Sequence, residues 1–220
     1  MFPKTSLVEL KYCDTVTVPS VDSGLSAPYV FRLNSITDPD YTGTGHQPRG
    51  ADQWAHIYKK YCVIGAKVLV EPLVASATNI DAVLYGYVDD DPSADLHTLE
   101  DIRELNMPHS THRYVELGQS QRGVNNSRTR PNMRFKVGMK KFFGLGKNTQ
   151  IFAPAGIGQG DFPALSDPHG LSANFGNNPN NEAYVKLYTT SVGTSEQPVL
   201  CRITISYMCV MHDPIEVGRS

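Results

Sequence analysis

Apolar and polar residues alternate along eight separate stretches of the chain, and this alternation limits the possible folds more than any other feature. In MRFKVGM, for example, Met133, Phe135 and Val137 alternate with Arg134 and Lys136. Successive side chains of a β-strand point to opposite faces, so a period of two predicts a strand with one buried face. The pattern predicts strands at residues 7–18, 29–33, 62–70, 82–88, 112–117, 133–139, 183–189 and 201–211.

Helical periodicity is confined to two short segments between predicted strands. Residues 52–61 place Trp54, Tyr58 and Tyr61 on one helical face, and residues 95–106 show the same spacing of apolar residues. Asp52 would be favourable in the first turn of the earlier helix, because carboxylates are stabilised at helix N-termini. Both segments therefore predict short helices inserted in loops.

Long connections join the predicted strands, at residues 34–51, 89–111, 118–132 and 145–181. The 18 Gly and 15 Pro residues favour turns over long helices. Eight antiparallel strands with such connections fit a double-sheet jelly roll better than a closed up-and-down barrel, whose hairpins would be short. The sequence thus predicts an all-β, eight-stranded jelly-roll sandwich that forms a single domain over residues 1–220.

Neither export nor membrane insertion is expected. The longest apolar run, residues 199–211, is too short to span a bilayer and contains Arg202. Cys13, Cys62, Cys201 and Cys209 lie in strand-like runs without a CxxC motif, so we expect small buried side chains in a reducing compartment.

Short motifs for metals and catalysis are incomplete. DPDYTGTGHQPR resembles the start of a calcium loop at Asp38 and Asp40, but Arg49 stands where a bidentate Glu should close the oxygen shell. His109 and His112 have zinc-compatible spacing without a third ligand nearby. GQSQRG departs from the nucleophile-elbow pattern, and GLGKNT departs from the phosphate-loop pattern. We expect no metal, no cofactor and no enzymatic activity.

Basic residues are concentrated in one segment. Residues 113–147 hold nine of the chain's 20 Lys and Arg residues against one acid, Glu116. Lys140 is expected to share a strand face with Arg134 and Lys136, pointing a row of charges outward. The segment is a candidate site for nucleic acid or an acidic glycan, and a solvated surface remains the alternative. The candidate residues are Arg113, Arg122, Arg128, Arg130, Arg134, Lys136, Lys140 and Lys141.

Residues 31–70 resemble a known family. The order Asn-Ser, Asp-Pro-Asp, Thr-Gly-x-Gly-His-Gln-Pro, Gly-x-Asp-Gln-Trp, paired tyrosines and Val-Ile-Gly-Ala-Lys is similar to capsid proteins of circovirus-like viruses with circular single-stranded DNA genomes. The resemblance implies a jelly-roll coat protein that assembles with copies of itself, in a shell of sixty, around that DNA. It also implies structural roles for Asp52, Trp54 and Tyr58, and a location in the virion and, during assembly, in the host nucleus.

The start of the chain departs from the family pattern. Family members usually begin with a long basic arm that binds DNA, whereas this chain begins Met1-Phe2-Pro3-Lys4. Its formal charge is −2, so local positive charge is needed to contact phosphates. We expect that the arm has been removed, with replacement by the basic segment as the alternative. A sulfated glycan receptor is a further candidate partner, and a jelly-roll carbohydrate-binding module or a cupin-like metalloenzyme remains an alternative function.

Overall fold

The computed structural model describes residues 3–21, 24–73, 82–93, 98–104, 113–117, 132–146, 153–154, 165–167, 169–191 and 196–215. Eight strands carry the two main sheets. They are β1 (Thr5–Val18), β2 (Tyr29–Arg32), β3 (Tyr58–Pro72), β4 (Ala82–Asp89), β5 (Arg113–Leu117), β6 (Met133–Gly138), β10 (Tyr184–Ser191) and β11 (Val199–Pro214). Short strands β7 (Ala153–Pro154), β8 (Leu165–Ser166) and β9 (Ser172–Asn174) lie between β6 and β10.

The two main sheets have the strand order of a jelly roll. The first sheet runs β1-β11-β3-β6, with β9 beside the start of β3, and the second runs β2-β10-β4-β5. Counted along the eight long strands, the first pairs with the eighth, the second with the seventh, the third with the sixth and the fourth with the fifth, all antiparallel. A long antiparallel ribbon folded over on itself gives this order. The predicted all-β jelly-roll sandwich is confirmed, and each predicted strand corresponds to one observed strand.

The core lies between the two sheets. Strand β6 shows this clearly, because Met133, Phe135 and Val137 are buried and the residues between them are exposed. Phe135 reaches across to Gly86 of β4, where a Cβ atom would lie 2.9 Å from the Phe135 ring. Burying a side chain of this size stabilises the fold by about 1.5–3 kcal/mol. The missing side chain at Gly86 therefore makes room for an aromatic ring from the opposite sheet.

A β-bulge interrupts the pairing of β3 with β11. Met208 pairs with Gly65 and Cys209 with Val63, so Ile64 is an extra residue on β3. The alternation predicted Ile64 on the same face as Ala66. Instead, Ile64 packs in a small separate cluster with Cys62 and Leu171, because one inserted residue reverses the face of every residue before it.

The predicted helix at residues 52–61 is largely wrong. Helix α1 covers only Ala51–Ala55, and β3 begins at Tyr58. Tyr58 and Tyr61 are therefore strand residues, because hydrogen bonding of β3 to β11 outweighs a helical spacing of only three turns. The second predicted helix, at 95–106, is observed as α2 (Leu99–Glu104). A third short helix, α3 (Met139–Phe142), ends the strand that was predicted to continue to residue 139.

The connection between β2 and α1 is held by a buried carboxylate. Asp40 is 1% exposed, accepts a hydrogen bond from the Tyr29 hydroxyl at 2.8 Å, and accepts two more from Thr42. Asp38 instead lies 3.5 Å from the Arg32 guanidinium. The oxygen atoms that suggested a calcium loop are thus engaged with protein groups, and the described residues contain no group of three potential metal ligands.

The outer side of the second sheet holds a small tyrosine cluster. The rings of Tyr87 and Tyr188 stack with their centroids 5.8 Å apart, and Tyr85 and the partly buried Leu25 and Val83 complete the cluster. Beside it, fully buried Lys186 donates hydrogen bonds to the Asp89 carboxylate at 2.8 Å and the Ser93 carbonyl at 2.6 Å. None of the helices in the described ranges has the length and apolar character needed to cross a membrane.

Candidate nucleic-acid interface

The first sheet exposes one broad face to solvent. We call it the open face, and it consists of the positions from Glu9 to Thr15 that alternate with buried core residues on β1, together with the positions aligned with them on β11, β3 and β6. Its members are Glu9, Lys11, Cys13 and Thr15 on β1, Arg202, Thr204, Ser206 and Met208 on β11, Gly65, Lys67, Leu69 and Glu71 on β3, and Arg134, Lys136 and Gly138 on β6.

Strand pairing assembles a row of lysines across this face. Lys136 is directly opposite Lys67, Ser206 separates Lys67 from Lys11, and all three lysines are exposed. Like charges directly opposite each other on neighbouring strands destabilise a sheet. No acid lies in this row, so a bound anion would relieve the repulsion between Lys67 and Lys136.

The neighbouring rows are also more basic than acidic. Arg134 pairs with Leu69, and Arg202 pairs with Glu71, so one of the two arginines has an acidic neighbour. Including the lysine row, the open face carries five basic residues and two acids, Glu9 and Glu71. Contacts between basic side chains and phosphates release counterions, and a face with this excess can bind a polyanion.

The basic residues singled out in the sequence are placed in several different locations. Arg134 and Lys136 lie side by side on the open face, as predicted. The expectation that Lys140 continues their face is wrong, because β6 ends at Gly138 and Lys140 and Lys141 belong to α3. Arg113 begins β5, at the edge of the second sheet. Arg122, Arg128, Arg130, His109 and His112 lie outside the described residues.

Three basic residues of the open face were missed in the sequence. Lys11, Lys67 and Arg202 lie on other strands, far from the basic segment in the chain. Each sits at a polar position of an alternating run, which is the only local signal that it faces outward. Their proximity to Lys136 depends on strand order and register, which the sequence does not specify by itself.

The aromatic residues expected to anchor the loop after β2 are packed against the core. Trp54 is partly buried, and its ring lies 6.0 Å from that of buried Tyr58. The Tyr58 hydroxyl donates a hydrogen bond to the Pro3 carbonyl at 3.0 Å and lies 2.7 Å from Ser6 Oγ. Asp52 is exposed in the first turn of α1. Tyr58 therefore connects the chain before β1 to β3, which is a structural contact rather than a chemical one.

A polar cavity of about 520 Å³ lies at the other end of β3, away from the lysine row. Next to it, the Ser172 hydroxyl lies 2.6 Å from His212 Nε2, and His212 Nδ1 lies 3.4 Å from the Asp213 carboxylate. Burial lowers the pKa of His212 from its ordinary value, and the Asp213 carboxylate opposes that shift by favouring the charged ring. Burial therefore favours the neutral form of the ring.

Three of the four cysteines are buried, and one is exposed to solvent. Burial raises the pKa of the Cys62 and Cys201 thiols to about 12, and it raises that of Cys209 further. A thiol with so high a pKa is a poor nucleophile, because the thiolate is the reactive form. Cys13 is the exposed cysteine, on the open face, and all four are free.

Comparison with known proteins gives structural likeness without detectable sequence similarity. No family model matches the chain. No curated protein matches it in sequence either. Among solved structures, "Crystal structure of 60-mer BFDV Capsid Protein" is similar with a TM-score of 0.49 and 8% identity, covering 100% of both chains. A semi-empty virus-like particle of the nodavirus of the giant freshwater prawn Macrobrachium rosenbergii has a TM-score of 0.48 and 10% identity, covering 98% of this chain and 97% of the other.

A solved structure of tobacco necrosis virus is similar to this chain with a TM-score of 0.47 and 14% identity, and the match covers 96% of this chain and 97% of the other. These identities and scores are too low to support an argument about family or function. The assignment of the fold rests instead on strand order: the chain is an eight-stranded jelly roll with a basic, solvent-exposed sheet face.

Proposed function

We propose that the chain is a viral coat protein that assembles with copies of itself into a closed icosahedral shell around circular single-stranded DNA. The strand order 1·8, 2·7, 3·6 and 4·5 is the observation that carries the proposal. It restricts the chain to the double-sheet jelly rolls, which serve mainly as viral capsid domains, lectin domains and cupins. The resemblance of residues 31–70 to circovirus-like capsid proteins favours the first of these, with residues 1–220 as one coat domain.

The composition of the open face argues against the carbohydrate-binding alternative. A sugar platform on a sheet requires exposed aromatic rings, whereas the fifteen described positions of the open face include no aromatic residue. The three tyrosines of the cluster on the second sheet, Tyr85, Tyr87 and Tyr188, are buried. Tyr41, at 42% exposure, is the most exposed aromatic residue in the described part of the chain. The basic open face suits a polyanion better than a neutral sugar.

The edge of the first sheet supports self-association. β1 is fourteen residues long, and within the described residues it pairs along one side only. Leu7 on this strand is 65% exposed. Long unpaired edges with exposed apolar residues invite contact with another chain, and in a shell a neighbouring subunit would cover them. Such contacts would be repeated by symmetry around the shell.

The proposal assigns the open face to the genome. Local positive charge is needed because the chain as a whole is slightly acidic, with a formal charge of −2. A basic arm ahead of this sequence would add to that contact, and assembly in the host nucleus is the expectation from the family resemblance. A sulfated glycan is the competing polyanion, and it would require the open face to point outward.

Assembly can be tested with the purified chain. We expect light scattering and negative-stain microscopy to show uniform closed particles, and we expect DNA inside them to survive nuclease treatment. The matched control is the same preparation disassembled before nuclease is added, in which the DNA should be digested. A chain that stays monomeric over a wide range of concentration and salt, and that binds glycans, would contradict the proposal.

A further inference from the structure

A trough crosses part of the open face where two glycines oppose each other. Gly65 on β3 pairs directly with Gly138 on β6, so two neighbouring side chains are missing from the surface. Met208 lies beside Gly65 on β11, and Glu9 lies beside Met208 on β1. The cavity is about 190 Å³, smaller than the pockets that hold drug-sized ligands, so it suits one small group.

The backbone does not require glycine at Gly138. Its φ of −99° and ψ of 121° are ordinary extended values, and a Cβ atom built there has no heavy atom within 4 Å. At Gly65, a Cβ atom would lie 3.3 Å from the Val137 carbonyl oxygen, which is close but not prohibitive. The glycines thus keep a space open rather than permit an unusual backbone conformation.

Charged residues line two sides of this space. Lys67 and Lys136, with Ser206, form the wall on the side of the lysine row, and Glu9 lines another part of the cavity. Gly65, Gly138 and Met208 also line the cavity, and the thioether of Met208 is soft and adaptable. A mainly apolar space next to two cations suits a ligand with a ring and an attached anion.

We propose that this trough holds one base of the single-stranded DNA, with the adjoining phosphate bound by Lys67 and Lys136. This inference rests on the proposed coat function and specifies how the genome is contacted. A duplex does not fit, because its bases are stacked and only their edges are accessible. A single strand can turn a base out onto a protein surface, which is the usual mode of contact with unpaired nucleic acid.

Glu9 would orient the bound nucleotide in the trough and favour some bases over others. Its carboxylate repels phosphate, so the phosphate is directed to the lysine side. A carboxylate accepts hydrogen bonds from the amino groups of bases, as with cytosine N4 in duplex recognition. Cytosine, adenine and guanine carry such amino groups and thymine does not. We therefore expect oligo-dC to bind more tightly than oligo-dT, and Glu9→Gln to reduce the difference.

The space itself is tested by filling it. Gly138→Val places a branched side chain in the trough while leaving Lys67 and Lys136 in place, and Thr15→Val adds apolar surface elsewhere on the same face as a control. By fluorescence anisotropy with oligo-dC, we expect Gly138→Val to weaken binding about fivefold, at the low end of what stacking on an aromatic ring contributes because the trough contains no ring, and Thr15→Val to change it little.

An abasic oligonucleotide of the same length tests the same point without a mutation. It keeps the phosphates and removes the bases, so the wild-type chain should bind it more weakly than oligo-dC, while Gly138→Val should bind the two alike. Equal binding of the abasic strand and oligo-dC to the wild type, or unchanged binding by Gly138→Val, would overturn the trough proposal.

The phosphate contact has a separate readout. Replacing Lys67 and Lys136 by Gln should make the negative slope of log K against log salt shallower by roughly 0.7, because the two lysines contact the same phosphate and each phosphate contact on a single strand contributes about 0.7. The charge-matched control, Arg49→Gln with Lys59→Gln, changes exposed residues that do not line the trough and should leave the slope nearly unchanged. Equal slopes for the two double variants would overturn the phosphate contact.

Failure of this inference and failure of the coat function give different results. If particles form but the trough variants bind oligo-dC normally, the coat function stands and the base site is wrong. If no particles form, the binding assays on the unassembled chain still decide the trough. If Gly138→Val reduces binding of heparin but not of oligo-dC, the occupant is a sulfated glycan and the nucleic-acid proposal is overturned.

Discussion

Substituting Gly86 tests how tightly the two sheets pack. A Cβ atom at this position would lie 2.9 Å from Phe135 Cζ and 3.0 Å from Leu187 Cδ2, both inside the core. Overpacking of this kind costs about 1–3 kcal/mol. The Gly-to-Ala change regains about 0.4–1 kcal/mol by restricting the unfolded chain. We therefore expect Gly86→Ala to lower the free energy of unfolding by about 1–2 kcal/mol, or the Tm by about 2–8 °C.

Denaturant unfolding of the unassembled chain, followed by the fluorescence of the single tryptophan, measures this change. Gly138→Ala is the matched control, because its new Cβ atom has no neighbour within 4 Å, and we expect a change within about 0.5 kcal/mol. Phe135→Leu removes the ring, so it should reduce the loss of unfolding free energy caused by Gly86→Ala. The interaction energy between the two substitutions in a double-mutant cycle should be at least about 0.5 kcal/mol. Equal stability of the two alanine variants, or no coupling to Phe135, would refute the packing argument.

Two substitutions and one labelling experiment test the buried polar groups and the thiols. Lys186→Met leaves the Asp89 carboxylate without its cation, and we expect a loss of about 3–5 kcal/mol in denaturant unfolding; a loss below about 1 kcal/mol would contradict this. At pH 8, a maleimide should label Cys13 before unfolding, whereas early labelling of any of the other three cysteines would argue against their burial. Because the folded-state pKa of His212 is lowered, His212 takes up a proton in the unfolded chain at a higher pH than in the folded one. The free energy of unfolding should therefore fall as the pH drops through about 6.5. His212→Gln should flatten this dependence between pH 7 and 5, and an unchanged profile would assign the dependence to other groups.

The strands of the first sheet could be predicted from the sequence because one face of each is at least partly exposed. β6 shows this well, since its buried apolar residues alternate strictly with exposed ones. β4 is less simple, because Leu84 faces the sandwich core while Tyr85 and Tyr87 pack in the tyrosine cluster on the other side. The alternation of large residues marked β4 as a strand but did not say which of its faces meets the other sheet.

Long-range pairing explains where local patterns failed. The spacing of Trp54, Tyr58 and Tyr61 suits a helix, yet β3 extends back to Tyr58 because β11 continues alongside it to Pro214. The bulge at Ile64 depends on the same partner strand. Neither feature has a signal within its own few residues, since both depend on a strand about 150 positions later in the sequence.

Two of the five basic residues of the open face were predictable from the local pattern. Arg134 and Lys136 were identified because they are close in sequence and alternate with apolar residues. Lys11 and Lys67 join them only through the order β1-β11-β3-β6. The glycine trough was not predictable either, because a gap forms only when the register puts Gly65 against Gly138. Such a site is a property of the assembled sheet rather than of any one segment.

The position of β11 has a consequence for biosynthesis. This strand joins β1 to β3, yet it is the last of the strands to leave the ribosome. During synthesis, β1 therefore stays unpaired, with the residues of its buried face exposed, until β11 has been made. Pairing of segments so distant in sequence slows folding and leaves the nascent chain prone to aggregation. A product that terminates before β11 lacks the strand that joins β1 to β3, so it cannot complete the first sheet.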